Sequence, residues 1–190
     1  MNFADDSDIF TKAVMEFQEK KSLIEAVLFV SGEPVTLAVL KNIMDMPETD
    51  IRQILEEMVA EYRSRNGGTL IMEIANGYQM VTNPCFAQWI RKFKNTSVST
   101  KLSLAALETL AIIAYNQPII KAEIEQIRGV NADGVTKTLL DRRLIKIMGR
   151  KEVPGKPLLY GTTREFLQYF GLKDITELPT LKELNREEAA

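Results

Sequence analysis

The sequence predicts a mainly helical α+β protein made of two tandem winged helix-turn-helix domains. Two observations predict this fold class. Residues 104–162 have the pattern of three short helices followed by a β-hairpin, and residues 21–82 repeat the same order of elements. A shift of 84 positions places Pro34 on Pro118 and aligns the apolar residues of the two stretches. A matching proline, helix order and terminal hairpin in both halves favour a tandem repeat.

The second half shows clear boundaries for its first two helices. Apolar residues recur at helical spacing over 104–115, and Pro118 ends that pattern because it has no amide hydrogen to donate. A second helix is predicted over 120–128, where Gly129 readily adopts the left-handed conformation that ends helices. These two helices are therefore expected to meet at a tight corner.

A third helix and a hairpin complete the predicted domain. Asn131 or Asp133 is expected to cap the third helix, which holds the recognition position of a helix-turn-helix. The hairpin strands are predicted over 144–148 and 158–162. Between them lies 153–156, Val-Pro-Gly-Lys, whose proline and glycine suit the central positions of a type II turn. This hairpin is the predicted wing.

The first half follows the same plan less clearly. Helices are predicted over 21–30, 36–44 and about 48–65, and strands over 69–75 and 78–82. Asn76-Gly77 joins the strands, and this pair is the strongest short signal for a hairpin turn. Pro84 is expected to open a further helix that reaches about Lys94.

These elements predict the domain organisation. The predicted segments are an N-terminal segment 1–17, a first domain 18–95, a polar linker 96–102, a second domain 103–172 and a C-terminal tail 173–190. The tail is short and charged.

Composition limits the possible chemistry. The chain of 190 residues has no histidine and one cysteine, so histidine-based triads, cysteine zinc sites and internal disulfides are excluded. Cys85 lies beside Phe86 and Trp89, and the lone thiol is interpreted as a small core residue. No paired-carboxylate motif or glycine-rich phosphate loop is present. We therefore expect a protein that is not an enzyme and has no metal or cofactor.

The cellular location follows from two absences in the sequence. The N-terminus is acidic where a secretion signal needs basic residues, and no apolar run approaches the roughly 20 residues of a membrane span. With its lone cysteine, the chain is expected to be cytoplasmic and to have no membrane partner.

Charge is distributed unevenly along the chain. Residues 1–100 hold 10 Lys+Arg and 14 Asp+Glu, whereas residues 101–190 hold 14 and 12. Basic residues concentrate around the third helix and wing of the second half, where the candidate DNA contacts are Lys137, Arg142, Lys146 and Lys151. Such residues also occur on an ordinary solvated face, because phosphate binding requires several charges that point one way.

The first helix of each half is more apolar than a surface helix needs to be. Between Leu102 and Tyr115 only three residues are polar, and between Leu23 and Val30 only one is. A surface helix usually shows a single apolar stripe. Burial between the two domains would explain this excess, and so would contact with a second copy or with another protein.

The segments ETLAIIAYNQPI, EIEQIRGVN and GRKEVPGKPLLYGTT resemble signatures of the bacterial segregation and condensation protein B family. The resemblance covers about residues 20–182 and is most specific over 102–172. In the first half, LIEAVLFVSGEP is similar to the family, and LPTL follows at 178–181.

The resemblance implies a homodimeric, non-enzymatic subunit located at the nucleoid. It implies that the chain binds the kleisin subunit, segregation and condensation protein A, and through it the SMC ATPase, so that any contact with DNA is indirect. The first domain is then expected to dimerise, with candidate contacts Leu23, Val27, Phe29 and Val30. The second is expected to hold the kleisin, with candidate contacts Leu104, Ile113, Tyr115 and Pro118.

One residue departs from the family pattern. The family most often has glycine after the third helix, where this chain has Arg143. Arginine is less stable than glycine in a left-handed cap, so the corner before Leu144 is expected to differ.

Two hypotheses about function are compatible with the sequence. The first is an assembly subunit that presents apolar surface to a sister chain and a kleisin. The second is a winged-helix transcription regulator that contacts DNA phosphates. The acidic first half and the apolar leading helices favour the first.

Overall fold

The computed structural model describes residues 16–94, 101–180 and 183. The architecture is mainly helical with small antiparallel sheets, as predicted. The described residues divide into two units: the first holds 16–72 together with Gly77–Phe86, and the second holds Glu73–Asn76 and the described residues from Ala87 onward. Residues 95–100, which include most of the predicted linker 96–102, and parts of both predicted terminal segments lie outside the described residues.

The first half folds into three helices and a hairpin, in the predicted order. The elements are α1 Phe17–Ser31, α2 Leu37–Met44, α3 Glu48–Ser64, β1 Thr69–Ile74 and β2 Gly77–Thr82. Helix α1 begins four residues before the predicted start, because the amide of Glu16 donates to the Glu19 carboxylate (2.9 Å) and satisfies a free group at the helix end. The side chain of Thr36 caps α2 by accepting the Val39 amide.

A buried cluster forms the core of the first unit. Its fully buried members come from all three helices: Ile24, Leu28, Leu40, Ile51, Leu55 and Met58. Helices α1 and α3 are also joined by Lys21, whose ammonium contacts the carboxylates of Glu57 (3.3 Å) and Glu61. The hydrogen bond with Glu61, more than any other contact, raises the pKa of Lys21. The lysine is buried as a charged group because two carboxylates pair with it.

The first hairpin corrects the predicted turn. Ala75 and Asn76 occupy its centre, both with positive φ (51° and 57°), and Gly77 is the first residue of β2. The glycine has a different role, because a Cβ at position 77 would lie 2.8 Å from the carbonyl oxygen of Val35. Asn76-Gly77 therefore marks the hairpin correctly but is shifted by one position from its turn.

The environment of Cys85 contradicts its predicted burial. The thiol is free and exposed, in a short 3-10 turn over Pro84–Phe86 that buries none of its residues. Its amide donates to the Asn83 side chain (3.1 Å), which holds the turn at the surface. Helix α4, Ala87–Phe93, follows this turn and buries none of its residues either.

The second half contains the three predicted helices and the predicted hairpin, with a short strand before the second helix and a further helix after the hairpin. The elements are α5 Leu104–Asn116, β3 Ile119–Ile120, α6 Lys121–Arg128, α7 Asp133–Asp141, β4 Ile145–Arg150, β5 Leu158–Thr162 and α8 Arg164–Phe170. The predicted type II turn is confirmed, since Gly155 has φ of 85° and the Lys156 amide donates to the Val153 carbonyl (2.9 Å).

The short strand β3 was not predicted. It pairs antiparallel with β5, Ile119 opposite Tyr160, and gives a sheet in the order β3-β5-β4. The first half has a matching isolated bridge between Val35 and Tyr78, and Val35 lies 84 positions before Ile119. Both halves therefore pair the residue after the proline with the second strand of the hairpin.

The ends of α7 differ in detail from the prediction. Ala132 occupies the N-cap position of the helix. The Asn131 side chain accepts the amide of Asp133 (2.9 Å), so Asn131 caps the helix from the residue before the N-cap. After the helix, Arg143 has φ of 57°, the left-handed conformation in which glycine is favoured. Its carbonyl accepts the Thr163 hydroxyl (2.5 Å), which joins this corner to the start of α8. The backbone turn at Arg143 is thus one that a glycine would adopt more easily.

We predict that Arg143→Gly raises the free energy of unfolding by about 1 kcal/mol, because glycine lacks the Cβ that disfavours positive φ. Denaturant unfolding followed by circular dichroism measures this change. Arg143→Ala is the control: it removes the guanidinium but keeps the Cβ, and should give no comparable gain. Equal stabilisation by both variants would contradict the backbone explanation.

Candidate partner-binding surfaces

Helix α5 has apolar side chains on two faces. The Ser103 side chain caps it by accepting the Ala106 amide (3.2 Å). One face buries Leu110, Ile113 and other side chains in the second unit, whereas Leu104 is 73% exposed and Leu107 is 40% exposed. The predicted excess of apolar surface on this helix is therefore confirmed.

A groove of about 390 Å³ lies along this helix. It is lined almost entirely by apolar side chains: Leu107, Leu110, Ala111, Ala114 and Tyr115 of α5, Phe166 and Phe170 of α8, and Leu172, Leu178 and Pro179 beyond α8. The α5 residues recur at intervals of three and four, which places them on one stripe of the helix. In α8, the rings of Phe166 and Phe170 lie 4.9 Å apart.

The chain after α8 forms one side of the groove. Residues 172–180, which we call the C-terminal segment, contain a 3-10 turn over Ile175–Glu177. The Asp174 carboxylate accepts the Thr176 hydroxyl and the Thr176 amide (2.7 Å), and these hydrogen bonds lower the pKa of Asp174. The hydroxyl of Tyr115 donates to the Pro179 carbonyl (2.7 Å) and so fastens the segment to α5.

This groove has the composition of a binding surface. Its lining residues include no titratable side chain except Tyr115. An apolar concavity with a single hydroxyl at its edge can bury apolar side chains and orient one backbone carbonyl. Within residues 16–94, 101–180 and 183, no cluster of His, Cys, Asp or Glu could hold a metal ion.

The four candidate kleisin contacts occupy different environments. Tyr115 lines the groove and is 42% exposed. Leu104 and Pro118 are exposed but are not among the lining residues. Ile113 is 0% exposed, so its side chain belongs to the core and is removed from the candidate contacts. Periodicity alone could not show whether Ile113 faces the core or the solvent, because α5 is apolar on both faces.

Sequence reasoning missed the residues that complete the groove. Phe166 and Phe170 form an i, i+4 aromatic pair, and this spacing was the available signal for an apolar face on α8. Nothing in the sequence placed Leu178 and Pro179 against α5, because that contact joins positions 64 residues apart.

The candidate dimer contacts divide into two pairs. Phe29 is 78% exposed and Val30 is 80% exposed, near the end of α1. Leu23 and Val27 are half-buried, and Val27 packs against the core of the first unit. Of the four candidate dimer contacts, Phe29 and Val30 are thus the two whose side chains are largely available to a partner.

The candidate DNA contacts form a weaker basic surface than the sequence suggested. Lys137, Arg142 and Lys146 are exposed, but Lys151 is half-buried and forms an ion pair with Glu123 (2.6 Å). On the exposed face of α7, Asp141 lies one turn from Lys137 and offsets its charge.

The Glu123 carboxylate links three elements of the second unit. It accepts hydrogen bonds from the Lys151 ammonium and from the amide of Ile120 (3.1 Å). Both hydrogen bonds lower the pKa of Glu123, and the one from Lys151 has the larger effect. The residue therefore connects the start of α6 to the turn end of the second hairpin, where Lys151 follows β4.

Two comparisons at the sequence level place the chain among known proteins. The family model described as segregation and condensation complex subunit ScpB matches residues 22–181. Segregation and condensation protein B of Syntrophotalea carbinolica is 48% identical over 169 residues, which cover 89% of this chain and 85% of that protein. The protein of the same name from Desulforamulus reducens is 48% identical over 171 residues, which cover 90% and 94%.

Solved structures also match the chain. The crystal structure of ScpB from Mycobacterium tuberculosis is 36% identical, covers 84% of this chain and 99% of that chain, and has a TM-score of 0.42. A dimer of an ScpB N-terminal domain complexed with ScpA peptide is 20% identical, covers 40% of this chain and 96% of that chain, and has a TM-score of 0.39.

Helix length gives a separate result. In the described ranges, every helix is too short or too polar to cross a lipid bilayer.

We predict that the stabilising effect of Glu123 is lost in acid. Because its folded-state pKa is lowered, the carboxylate stabilises the protein above the usual glutamate pKa, and this stabilisation disappears as the pH falls through the lowered value. The difference in unfolding free energy between the natural chain and Glu123→Gln should therefore shrink between about pH 7 and about pH 3. Glu152→Gln, at an exposed position in the hairpin, is the control. A difference that stays constant with pH would show that the charge of Glu123 is not responsible.

Proposed function

The chain belongs to the family of segregation and condensation complex subunit ScpB, and from this premise we propose that it is a non-enzymatic, homodimeric subunit of a bacterial SMC-kleisin complex. Its partner is the kleisin ScpA, the molecule whose peptide is complexed with the dimer of an ScpB N-terminal domain. Through the kleisin it joins the SMC ATPase at the nucleoid, in the cytoplasm, and takes part in chromosome condensation and partition.

Two tandem winged-helix domains, with bounds close to 18–95 and 103–172, are the proposed framework. The repeated order of three helices and a hairpin supports this assignment, as does the pairing of Val35 and of Ile119 with the second hairpin strand of each half. A three-helix unit closed by a hairpin is the arrangement expected of a winged helix-turn-helix.

The observation that carries the kleisin assignment is the apolar groove on α5. An open groove lined by Leu107, Ala111, Tyr115 and Phe170 leaves apolar surface in water, which is unfavourable unless a partner covers it. The groove suits an amphipathic or extended segment of another protein. We assign it as the kleisin site, with Tyr115 retained from the sequence-based candidates.

The proposed dimer contact lies near the end of α1 in the first unit. Phe29 and Val30 are large apolar side chains that are almost fully exposed in the single chain. Burial of an aromatic side chain removes up to about 150–250 Å² from water, so this pair is a suitable centre for a self-complementary interface.

A winged-helix DNA-binding regulator is the alternative. The exposed Lys137, Arg142 and Lys146 favour it. The ion pair of Lys151 with Glu123 and the acidic charge of Asp141 beside Lys137 count against a concentrated phosphate-binding surface. A regulator of this kind would bind duplex DNA with a steep dependence on salt, whereas the assembly subunit would not.

We predict that Leu107→Asp weakens binding of the kleisin from the same genome by at least about tenfold, because a carboxylate placed in an apolar groove loses hydration without gaining a partner. Isothermal titration calorimetry measures the Kd. Val130→Asp makes the same chemical change at a residue that is 56% exposed and outside the groove lining, and should bind normally. Equal Kd values for both variants would contradict the assignment of the groove.

We predict that the purified chain is a dimer at micromolar concentration and that Phe29→Asp makes it monomeric. Burial of a charged side chain in an apolar interface is strongly unfavourable. Because Phe29 is exposed in the single chain, its replacement should not disturb the core of the first unit. Size-exclusion chromatography with light scattering gives the mass. Ile127→Asp is the control, since Ile127 is also exposed but lies on α6. A monomeric natural chain, or a dimeric Phe29→Asp, would refute this interface.

A further inference from the structure

The C-terminal segment binds the α5 groove in the way that an extended peptide ligand would. Leu178 is half-buried and lines the groove beside Tyr115, and the next residue, Pro179, gives its carbonyl oxygen to the Tyr115 hydroxyl at 2.7 Å. An apolar side chain in a concavity and a hydrogen-bonded carbonyl are the two features by which a protein groove recognises an extended chain.

The segment is organised mainly by bonds within itself. The Glu177 carboxylate accepts the amide of Lys173 (2.6 Å), the amide of Leu178 donates to the Ile175 carbonyl (3.3 Å), and the Asp174 carboxylate accepts the amide of Thr176. Lys173, near the start of the segment, is also held from outside: its carbonyl accepts the Asn76 amide (2.8 Å), and its ammonium pairs with Glu73 (3.0 Å). The internal bonds would persist if the rest of the segment swung away from α5 about the anchored Lys173. Movement would break the Tyr115 hydrogen bond and expose Leu178.

The groove beyond the segment has unfilled apolar space. Its volume of about 390 Å³ adjoins Leu107 and Phe170, which are 40% and 43% exposed. An incoming apolar chain would fill this space and could also occupy the position of Leu178. Exchange of one apolar side chain for another in the same concavity costs little, because the buried area is nearly conserved.

We propose that residues 173–180 form a displaceable strap, and that an extended apolar segment of the kleisin takes the place of Leu178 and offers its own carbonyl to Tyr115. This inference rests on the proposed function, because it concerns the same groove and partner. The strap is an internal competitor. Only molecules with a released strap can bind the kleisin. The observed association constant is therefore the intrinsic constant of the open groove multiplied by the fraction of molecules in which the strap is released.

Hydrogen exchange of the natural full-length chain, measured with and without the kleisin, tests displacement directly. Peptides of α5 and α8 should become more protected when the kleisin binds, and peptides covering 173–180 should exchange faster. Faster exchange is specific to displacement, because docking on top of the strap would protect both regions. Unchanged or slower exchange over 173–180 would overturn the strap while leaving the kleisin site intact.

A variant of the strap provides the second test. Leu178→Ser removes the side chain that competes for the groove, so the Kd for the kleisin should fall by about three- to tenfold. Val153→Ser, at a residue that is 41% exposed in the second hairpin, should leave the Kd unchanged. Circular dichroism establishes that both variants fold, and if Leu178→Ser does not fold, the exchange experiment on the natural chain decides.

The outcomes separate the two proposals. No binding of the kleisin to the natural chain or to any variant would overturn the proposed function and the strap together. Binding with an equal or higher Kd for a folded Leu178→Ser would overturn the strap alone.

Discussion

Each half of this protein depends on a backbone pairing between the residue that follows a proline and the second strand of a hairpin. Val35 exchanges two hydrogen bonds of 2.8 Å with Tyr78, and Ile119 lies opposite Tyr160 in the second sheet. The pairing ties the corner between the first two helices to the hairpin, so the helices cannot shift without breaking the sheet. Glycine lies next to the tyrosine in both halves. At Gly77 a side chain would strike the Val35 carbonyl, and at Gly161 it would strike Met148 and Gln117.

Local signals determined how much of this fold was predictable. Helix order, the type II turn at Pro154-Gly155 and the position of both hairpins follow from short-range patterns, and the structure bears them out. The bridge at Val35 and the strand at Ile119 were missed because one or two residues give no period-two pattern. The first hairpin was found, but its turn was placed one residue too late, because the glycine of Asn76-Gly77 is required by a neighbouring carbonyl instead of by the turn.

The functional surfaces were harder to predict, for a physical reason. Excess hydrophobicity singled out α1 and α5, and both helices do expose large apolar side chains, but composition cannot distinguish a buried face from an open one. Ile113 and Tyr115 are two residues apart on α5, yet one is in the core and the other lines the groove. Charge was misleading in a similar way, since Lys151 counts as basic in the sequence but is paired with Glu123. Contacts between distant positions, such as Tyr115 with Pro179, decide which side chains a partner can reach.

The core cluster of the first unit has a further consequence, which concerns the order in which the protein folds during synthesis. Its members all fall between Ile24 and Tyr78, so every side chain of that cluster has been synthesised before the ribosome reaches the second half. A nascent chain can therefore bury this apolar surface early, and domains made first generally fold first. The exposed Phe29 and Val30 would then be presented on a folded surface while synthesis continues. If this surface is the proposed dimer contact, two chains made from one messenger could meet through it before either is complete.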